Sequence, residues 1–267
     1  MKTEFCVTES SQMHTTLYPS LRGKVVFITG GASGIGAAMV KAFVRQSAQV
    51  AFVDIDTNAS DHLKECITDI DKDAKLWFRS VDVTDPEALQ QAISDASKDL
   101  GGLHVLVNNV GNDARQDVEN ISAYDWHKCM QVNLDPAFFA SQAAYKIMHE
   151  QHAGSIINFS SINALIGPQQ MTGYVTAKAG LMGMTKSLSR DFGVDNIRVN
   201  AILPGWVATD RQLASWLTKE EEEKWTEAMA LKKRIEPRDV ANLALFLASD
   251  DSAMITGHGL NIDGGRT

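Results

Sequence analysis

Two residues whose side chains could take part in acid–base chemistry, Tyr174 and Lys178, lie four positions apart in the segment NFSSINALIGPQQMTGYVTAKAG. On a helix this spacing places both side chains on one face. A free tyrosine has a pKa of about 10, too high for a base near neutral pH, and a neighbouring ammonium lowers that pKa. The pattern predicts that Tyr174 is a general acid and base for a substrate hydroxyl, assisted by Lys178.

A serine in the same segment, Ser161, precedes Tyr174 and lies at the predicted end of a strand. Its hydroxyl can hydrogen-bond the substrate oxygen and stabilise developing charge. The adjacent Ser160 competes for this role. A serine alone is more typical of packing or capping, so the prediction depends on the whole set of residues.

A glycine cluster, TGGASGIG, joins the first predicted strand to a helix. Gly30, Gly34 and Gly36 would let the backbone turn tightly, and the helix N-terminus would present free N–H groups to a pyrophosphate. The next strand ends at Asp54, a carboxylate that can accept hydrogen bonds from ribose hydroxyls and would repel a 2′-phosphate. The cofactor is therefore predicted to be NAD; a simple turn role for Asp54 is the alternative, and Asp56 is read as a bystander.

The elements that must position these residues alternate along the chain. Strands are predicted in KVVFITG, QVAFVDI, LWFRSVDV, HVLVNN, SIINFSS, IRVNAILPG and GLNIDGG. Helices are predicted over Ile35 to Gln46, Ala59 to Asp71, Pro86 to Leu100, Ala123 to Gln151, Gly173 to Phe192 and Arg238 to Ala248. This alternation predicts a single-domain, Rossmann-type α/β fold, a doubly wound parallel sheet with helices on both faces.

The domain is predicted to span residues 21–267, after a polar, loosely held arm over residues 1–20. The acidic run Thr218 to Trp225 is predicted to begin a solvated helix, with Thr218 as its N-cap, and a lid is compatible with it. His104 and His258 are read as structural residues. The tryptophans Trp206, Trp216 and Trp225 are predicted to pack in the core or a lid rather than to form a sugar platform.

Composition excludes several classes of protein. The 267 residues are 44% hydrophobic and 22% charged, as in globular proteins, and the net charge of -8 disfavours nucleic acid and anionic membranes as partners. The three cysteines are widely spaced, which favours a reducing cytoplasm over a disulfide framework or a metal site. The first residues contain no run typical of a signal peptide, and no stretch has the length of a membrane span.

Several motifs in order resemble those of the short-chain dehydrogenase/reductase family. They are T-G-x-x-x-G-x-G, VDV at Val81 to Val83, NNVG at Asn108 to Gly111, QVNL around Asn133, the Ser161, Tyr174 and Lys178 set, and LPGWVAT. The resemblance covers residues 21–265 and departs from the family at Val110, where alanine is usual. It implies that Asn133 assists catalysis by holding a water chain to Lys178, and that Lys178 also binds the nicotinamide ribose.

The resemblance also implies a full set of cofactor contacts and a homotetramer. Implied cofactor-binding residues are Gly30, Ser33, Gly34, Ile35, Gly36, Asp54, Asp82, Val83, Asn109, Gly111, Tyr174, Lys178, Pro204, Gly205, Val207 and Thr209. Thr209 corresponds to the family's contact to the carboxamide, and Asp82 with the Val83 backbone to its adenine contact. The long helices and the C-terminal strand would form the subunit interfaces.

Four segments resemble bacterial sugar dehydrogenases that oxidise D-xylose or related aldoses at the anomeric carbon: LYPSLRGKVVFITGG, NNVGNDARQ, INFSSINALIG and FLASDDSAMITGHGLNIDGG. Polar residues near the predicted site favour a sugar or sugar acid as substrate: Asn112, Asp113, Arg115, Asn163 and Gln169, with Gln170 beside them. For the first three of these residues, a solvated loop is the alternative. A reductase of keto acids, acyl groups or other carbonyls, and a dinucleotide-binding regulatory protein without turnover, remain alternative functions.

Overall fold

A computed structural model describes residues 16–215 and 218–267, except for the side chain of Ser215. Cys6, Trp216 and most of the predicted N-terminal arm lie outside the described residues. Seven parallel strands form one sheet in the order β3-β2-β1-β4-β5-β6-β7. The strands are β1 Val25–Thr29, β2 Gln49–Asp54, β3 Leu76–Ser80, β4 Val105–Asn108, β5 Gly154–Phe159, β6 Ile197–Pro204 and β7 Gly259–Ile262.

Helices connect the strands and account for most of the remaining chain. They are α1 Gly34–Arg45, α2 Thr57–Ile70, α3 Pro86–Leu100, α4 Ala123–Asn133, α5 Asp135–Gln151, α6 Asn163–Ile166, α7 Thr172–Gly193, α8 Asp210–Ser215, α9 Lys219–Ala228 and α10 Pro237–Ala248, with short 3-10 turns at Pro19–Leu21 and Asp250–Ser252. Within the described ranges, no helix is both long and apolar enough to cross a membrane.

The sheet is covered on both faces, as the sequence predicts. In β1, Val26 and Ile28 face the cluster formed with α1, α2 and α10, while Phe27 faces the cluster formed with α3, α5 and α7. The chain runs from β1 towards β3 on one side and from β4 towards β7 on the other. The carboxyl ends of β1 and β4 therefore flank the switch point where ligands bind in such sheets.

The predicted helix over Ala123 to Gln151 is wrong as a single element. Leu134 leaves the helical region, with φ -127° and ψ -56°, and separates α4 from α5. Pro136 explains the break, because proline has no N–H and its ring clashes with the carbonyl four residues earlier. Asn133 thereby becomes the last residue of α4, at the carboxyl edge of the sheet.

The part of the N-terminal arm that is described is held firmly, contrary to the prediction for residues 16–20. The Gln46 side chain donates to the Thr16 carbonyl at 3.0 Å and accepts from the Tyr18 backbone at 2.8 Å. Leu21, at the end of the following 3-10 turn, is 1% exposed. The buried Gln46 side chain therefore connects Thr16 and Tyr18 to the domain.

The acidic run begins a helix where the sequence predicts one. Thr218 is the N-cap of α9, and its hydroxyl accepts a hydrogen bond from the Glu221 backbone at 3.3 Å. Three glutamates occupy the first turn of α9. The partial positive charge of a helix N-terminus stabilises such carboxylates.

Candidate active site

The glycine turn between β1 and α1 is tighter than any residue with a side chain would allow. Gly30 and Gly34 have φ of +66° and +53°. A Cβ atom on Gly36 would lie 1.9 Å from the Gly30 carbonyl oxygen. The first turn of α1 can therefore pack directly on the end of β1, with its N–H groups facing the cleft.

Asn109, at the end of β4, holds this turn in place. Its side-chain amide donates to the carbonyl oxygens of Thr29 at 3.1 Å and Gly30 at 3.0 Å, and its backbone donates to the Thr29 hydroxyl at 3.0 Å. Val110 packs against Gly30, close to where a Cβ on that glycine would lie. The Asn109 side chain therefore acts on the shape of the turn, although the residue also lines the cleft.

Two carboxylates stand at the other end of the cleft, after β2 and β3. Asp54 accepts hydrogen bonds from the backbones of Ala32 at 2.9 Å and Asp56 at 3.1 Å. Asp82 accepts from the backbone and hydroxyl of Thr84 at 2.9 and 2.7 Å. A carboxylate has about four acceptor positions, so both residues keep capacity for ligand donors such as ribose hydroxyls or an adenine amino group.

Tyr174 and Lys178 lie one turn apart on α7, at the opposite end of the same cleft. The Lys178 ammonium is 5.6 Å from the centre of the Tyr174 ring and donates to the Phe159 carbonyl at 2.8 Å. Lys178 is 2% exposed, whereas Tyr174 retains partial exposure to the cavity. A Cβ on Gly111 would lie 3.0 Å from the ammonium nitrogen, so this loop passes close above it.

The two serines after β5 have different surroundings. The Ser160 hydroxyl donates to the Lys178 carbonyl at 2.7 Å and thereby fastens β5 to the backbone of α7. The Ser161 hydroxyl accepts from the Asn163 backbone at 3.1 Å and forms a hydrogen bond with Tyr174. Ser161 is therefore the serine placed to reach a substrate oxygen together with Tyr174.

Burial dominates the protonation of the catalytic pair. It raises the pKa of Tyr174 to about 12, against the hydrogen bond with Ser161. It lowers the pKa of Lys178 to about 8, against the nearby Cys129 and Asp113. Removal from water disfavours the charged form of each group, which is the phenolate of Tyr174 and the ammonium of Lys178. A positive charge beside the phenol has the opposite effect on Tyr174, because it stabilises the phenolate and lowers the pKa.

Asn133 connects this pair to the loop after β4. Its side-chain oxygen accepts from the Asn112 backbone at 2.7 Å, and its amide donates to the carbonyls of Asn112 and Cys129, both at 3.1 Å. It is buried behind Gly111 and does not line the cavity. In this arrangement Asn133 fixes the loop that passes over Lys178.

Sequence reasoning missed Cys129, one turn before Asn133. The Asn133 amide approaches its sulfur at 3.5 Å, and a Cβ on Gly173 would lie 3.0 Å from that sulfur. Burial raises the pKa of the Cys129 thiol. The spacing of four residues from Asn133 is a signal that could have placed Cys129 on the same helix face.

The loop after β4 also meets a short helix that sequence reasoning did not predict, α8. Arg211 donates to Asp113 at 3.0 Å, and the Gln212 side chain donates to the other oxygen of Asp113 at 2.9 Å. The Trp206 indole donates to Gln212 at 2.7 Å. These residues are 98 and 99 positions from Asp113, so local spacing carries no signal for the contact.

The glycine turn, the two carboxylates, Ser161, Tyr174, Lys178 and the Asp113–Arg211 contact line one cavity of about 840 Å³. Among the predicted site residues, Asn133, Gln169 and Gln170 do not line it. Gln169 is exposed, whereas its neighbours Pro168 and Met171 line the wall. The chain turns at Gly167 and Gln170, with φ of +66° and +61°, and the Gln170 carbonyl accepts from Gln116 at 2.7 Å.

Residues set aside as structural have clear partners. The His104 ring accepts a hydrogen bond from the Val25 backbone at 3.0 Å, and burial lowers the pKa of this histidine. His258 is exposed, and its backbone donates to Asn200 at 3.2 Å. Trp206 and Trp225 pack edge to face at 5.4 Å and both line the cavity.

Comparison with known proteins agrees with this arrangement. A family profile described as enoyl-(acyl carrier protein) reductase matches residues 30–267. A Rhizobium meliloti protein named probable galactose dehydrogenase GalD is 45% identical over 93% of this chain and 96% of its own length. D-xylose 1-dehydrogenase of Caulobacter vibrioides is 41% identical over 95% and 99%.

A solved structure has the same fold over nearly the whole chain. It is a double mutant of a Serratia marcescens short-chain dehydrogenase/reductase, 32% identical, with a TM-score of 0.85 over 92% of this chain and 99% of that one. The chain belongs to the short-chain dehydrogenase/reductase family. It is an oxidoreductase that acts on the CH–OH group, and dehydrogenases of this family bind a nicotinamide cofactor.

The cavity fits such a cofactor. The glycine turn brings the first turn of α1 directly onto the end of β1, and carboxylates with open acceptor positions stand at the end of β2 and after β3. The residues that would hold the dinucleotide line one continuous surface from these acids to Tyr174. Gly34 and Thr209 meet across it, since a Cβ on Gly34 would lie 3.2 Å from the Thr209 side chain.

Proposed function

We propose that the protein is an NAD-dependent dehydrogenase that oxidises a hydroxyl of a sugar or sugar-derived substrate, with Tyr174 as general acid and base. The observation that carries the proposal is the group of Ser161, Tyr174 and Lys178 in a cavity that continues to the acidic cofactor end. Hydroxyl oxidation requires a proton acceptor at the oxygen as well as a hydride acceptor.

Each residue of the group has one task. A bound nicotinamide ring supplies the hydride acceptor. Tyr174 takes the proton from the substrate hydroxyl, and Ser161 donates a hydrogen bond to the same oxygen. The Lys178 ammonium, held by the Phe159 carbonyl at 2.8 Å, stabilises the phenolate form of Tyr174.

A sugar substrate is supported by the polar wall of the cavity beyond Tyr174. Asn112, Asp113, Arg115 and Asn163 all line it. The relatives named for galactose and D-xylose dehydrogenation support the same substrate class. The second candidate, a reductase of acyl or other carbonyl substrates, is favoured by the description of the matching family profile.

Absorbance of NADH during incubation with NAD and a panel of aldoses, polyols and sugar acids tests the proposal. We expect turnover with at least one aldose. A second assay supplies NADH with keto and acyl substrates, and turnover restricted to their reduction would favour the second candidate. Tight NADH binding without turnover of any substrate would instead favour a regulatory dinucleotide-binding protein.

The choice of NAD over NADP is proposed to depend on Asp54. Its carboxylate lines the cavity, and the turn from Gly30 to Gly36 contains no basic residue to hold a 2′-phosphate. Replacing Asp54 with alanine removes the repulsion, so we expect the NAD:NADP ratio of kcat/KM to fall by about tenfold or more. Steady-state kinetics with both cofactors measures this ratio.

Two further variants make that test specific. Asp54→Asn keeps an acceptor for the Ala32 backbone while removing the charge, so it should change the ratio in the same direction. Asp56→Asn is the matched control, because Asp56 caps α2 through the Ala59 backbone and asparagine caps equally well. An unchanged ratio in both Asp54 variants would refute the assignment.

A homotetramer is proposed, with α4, α5 and α7 at the interfaces. Two large side chains on α4 and α5 support this, since Tyr124 is 71% exposed and Phe138 is 42% exposed. Apolar surface of this kind is commonly covered by subunit contacts. Light scattering coupled to gel filtration should give about four times the chain mass, and a monomeric mass would contradict the proposal.

A cytoplasmic location is proposed as well. The few, widely spaced cysteines suit a compartment in which thiols stay reduced. Fractionation of the source cells, with activity assayed in each fraction, tests this location. Recovery of the activity outside the cytoplasmic fraction would contradict it.

A further inference from the structure

The contact between the loop after β4 and α8 forms one wall of the cavity beside Tyr174. Asp113 is its centre, because it binds Arg211 through one carboxylate oxygen and Gln212 through the other, at 3.0 and 2.9 Å. Gln212 is held in turn by the Trp206 indole at 2.7 Å. The carboxylate is thus fixed in position from two sides.

This carboxylate keeps room for a ligand. Its two protein partners occupy about half of the four acceptor positions that a carboxylate offers. The Asp113 side chain is 27% exposed and lines the cavity. Since an ionised carboxylate only accepts hydrogen bonds, the ligand groups that can join it are donors such as hydroxyls.

The two side chains of the Asp113–Arg211 ion pair differ in their exposure to solvent. The Arg211 side chain is 56% exposed, about twice the fraction of Asp113, so water screens its charge more strongly. At Tyr174, Asp113 raises the pKa more than Arg211 lowers it, and at Lys178 Asp113 acts while Arg211 does not. The carboxylate of Asp113 therefore acts more strongly at the reacting end of the cavity than the guanidinium of Arg211 does.

Other charges line the cavity but do not reverse this balance. Besides Asp54, Asp82 and Lys178, the charged side chains lining it are Asp113, Arg115, Lys128, Asp210, Arg211 and Glu221. Of these six, Asp113 and Arg211 are the ones that shift the pKa of Tyr174. Asp113 is therefore an anion of the substrate wall whose charge acts at Tyr174.

We propose that Asp113, fixed by Arg211 and Gln212, makes the cavity selective for uncharged, hydroxyl-rich substrates and rejects those that carry a carboxylate. This inference rests on the proposed sugar dehydrogenase function and narrows it. Sugar hydroxyls next to the reacting carbon donate to Asp113. A uronic acid brings a carboxylate into the same cavity, and the like charge of Asp113 repels it.

The test compares neutral sugars with acids of the same configuration. The pairs are D-galactose with D-galacturonate, and D-glucose or D-xylose with D-glucuronate, each assayed through NADH formation with the full-length protein. We expect the wild type to favour the neutral sugar in kcat/KM by about tenfold or more. A wild type that favours the acid overturns the proposal.

Two variants should shift this preference in opposite directions. Asp113→Asn leaves Arg211 without its anion, so the neutral:acid ratio should fall by about tenfold or more. Arg211→Gln leaves Asp113 without its cation, so the ratio should rise. Shifts in the same direction, or no shift in either variant, overturn the proposal, and because the variants are separate, a folding defect in one leaves the other informative.

Two controls complete the test. Asp117→Asn is the same substitution in the same loop, at an exposed residue that does not line the cavity, and should leave the ratio unchanged. Titration with NADH should give similar Kd values for all variants, because Asp113 and Arg211 lie on the substrate wall. If no aldose is turned over by the wild type, the proposed function itself fails; if an aldose is turned over and the ratios stay constant, this inference alone fails.

Discussion

Replacing Tyr174 with phenylalanine is expected to lower kcat for alcohol oxidation by about 10²- to 10⁴-fold, the usual contribution of a general base. The substitution removes one oxygen and keeps the ring. Lys178 can therefore retain its bond to the Phe159 carbonyl at 2.8 Å. The loss should appear in kcat with any aldose that the wild type oxidises, because the missing proton acceptor acts in the reaction step.

Cofactor binding separates this outcome from misfolding. Titration of the Tyr174→Phe variant with NADH should give a Kd within about threefold of the wild type, a change below 1 kcal/mol. Tyr18→Phe is the matched control, since Tyr18 precedes β1 and does not line the cavity, and this variant should keep full activity. Retained turnover in Tyr174→Phe would remove the residue from the acid and base role.

The order of the strands and helices could be read from the sequence because both signals are local. The predicted helix Pro86 to Leu100 coincides with α3, and the predicted ends of the helices around α1, α2, α7 and α10 agree within two residues. Buried parallel strands give continuous apolar runs, and Asp85 and Thr218 cap helices through their own side chains. These features depend on neighbours in the chain rather than on the final packing.

The helix break at Leu134 is not predicted from the sequence, although its cause, Pro136, is visible there. Pro136 stands at the second position of α5, where proline is tolerated, so the apolar pattern continues across it. If Pro136 is interpreted as the start of a new helix rather than as a residue inside one long helix, the stretch from Ala123 to Gln151 divides correctly into α4 and α5. The division matters because it ends α4 at Asn133.

The substrate wall was predicted only on the side where residues are close in sequence. Asn112 and Asp113 come directly after the NNVG motif in the chain. Their hydrogen-bond partners Arg211 and Gln212 lie on a helix about a hundred positions further along. Gln169 was placed in the wall by its position between Ser161 and Tyr174. Backbone turns at Gly167 and Gln170 determine its surroundings instead, and amino-acid type alone does not specify them.

The role proposed for Lys178 has a cost in the stability of the folded protein. The residue is 2% exposed, and its ammonium has the Phe159 carbonyl as a partner at 2.8 Å. Burial lowers its pKa from 10.5 to about 8, which corresponds to a destabilisation of at most about 3 kcal/mol while the group is protonated. Such a cost is typical of active sites, in which stability is given up for function.

Replacing Lys178 with methionine should therefore separate activity from stability. We expect kcat to fall by about 10²-fold or more, because the phenolate of Tyr174 loses its neighbouring charge. Methionine is unbranched and apolar, and fills the same space without a buried charge. NADH binding should weaken as well, since the family resemblance assigns the nicotinamide ribose to this lysine.

The pH dependence of stability gives the sharper result. In the wild type the folded pKa lies below the unfolded one, so the unfolded chain binds more protons between about pH 8 and pH 10.5, and this lysine makes stability rise with pH there. The methionine variant lacks this contribution. Its free energy of unfolding relative to the wild type should therefore be highest below pH 8 and should decrease by about 2 to 3 kcal/mol by pH 10.

Urea unfolding of both proteins at pH 7 and pH 10, without cofactor, measures this difference. The contributions of groups that titrate equally in both proteins cancel when the two free energies of unfolding are subtracted. The unpaired Phe159 carbonyl affects the variant at both pH values, so it changes the offset but not the pH-dependent part. Lys186→Met, at an exposed lysine on the same helix, should show neither the loss of activity nor the pH-dependent difference. If the difference in the free energy of unfolding between Lys178→Met and the wild type is the same at pH 7 and pH 10, burial does not lower the pKa of Lys178. The phenolate of Tyr174 would then have a charged partner throughout the pH range in which the enzyme works.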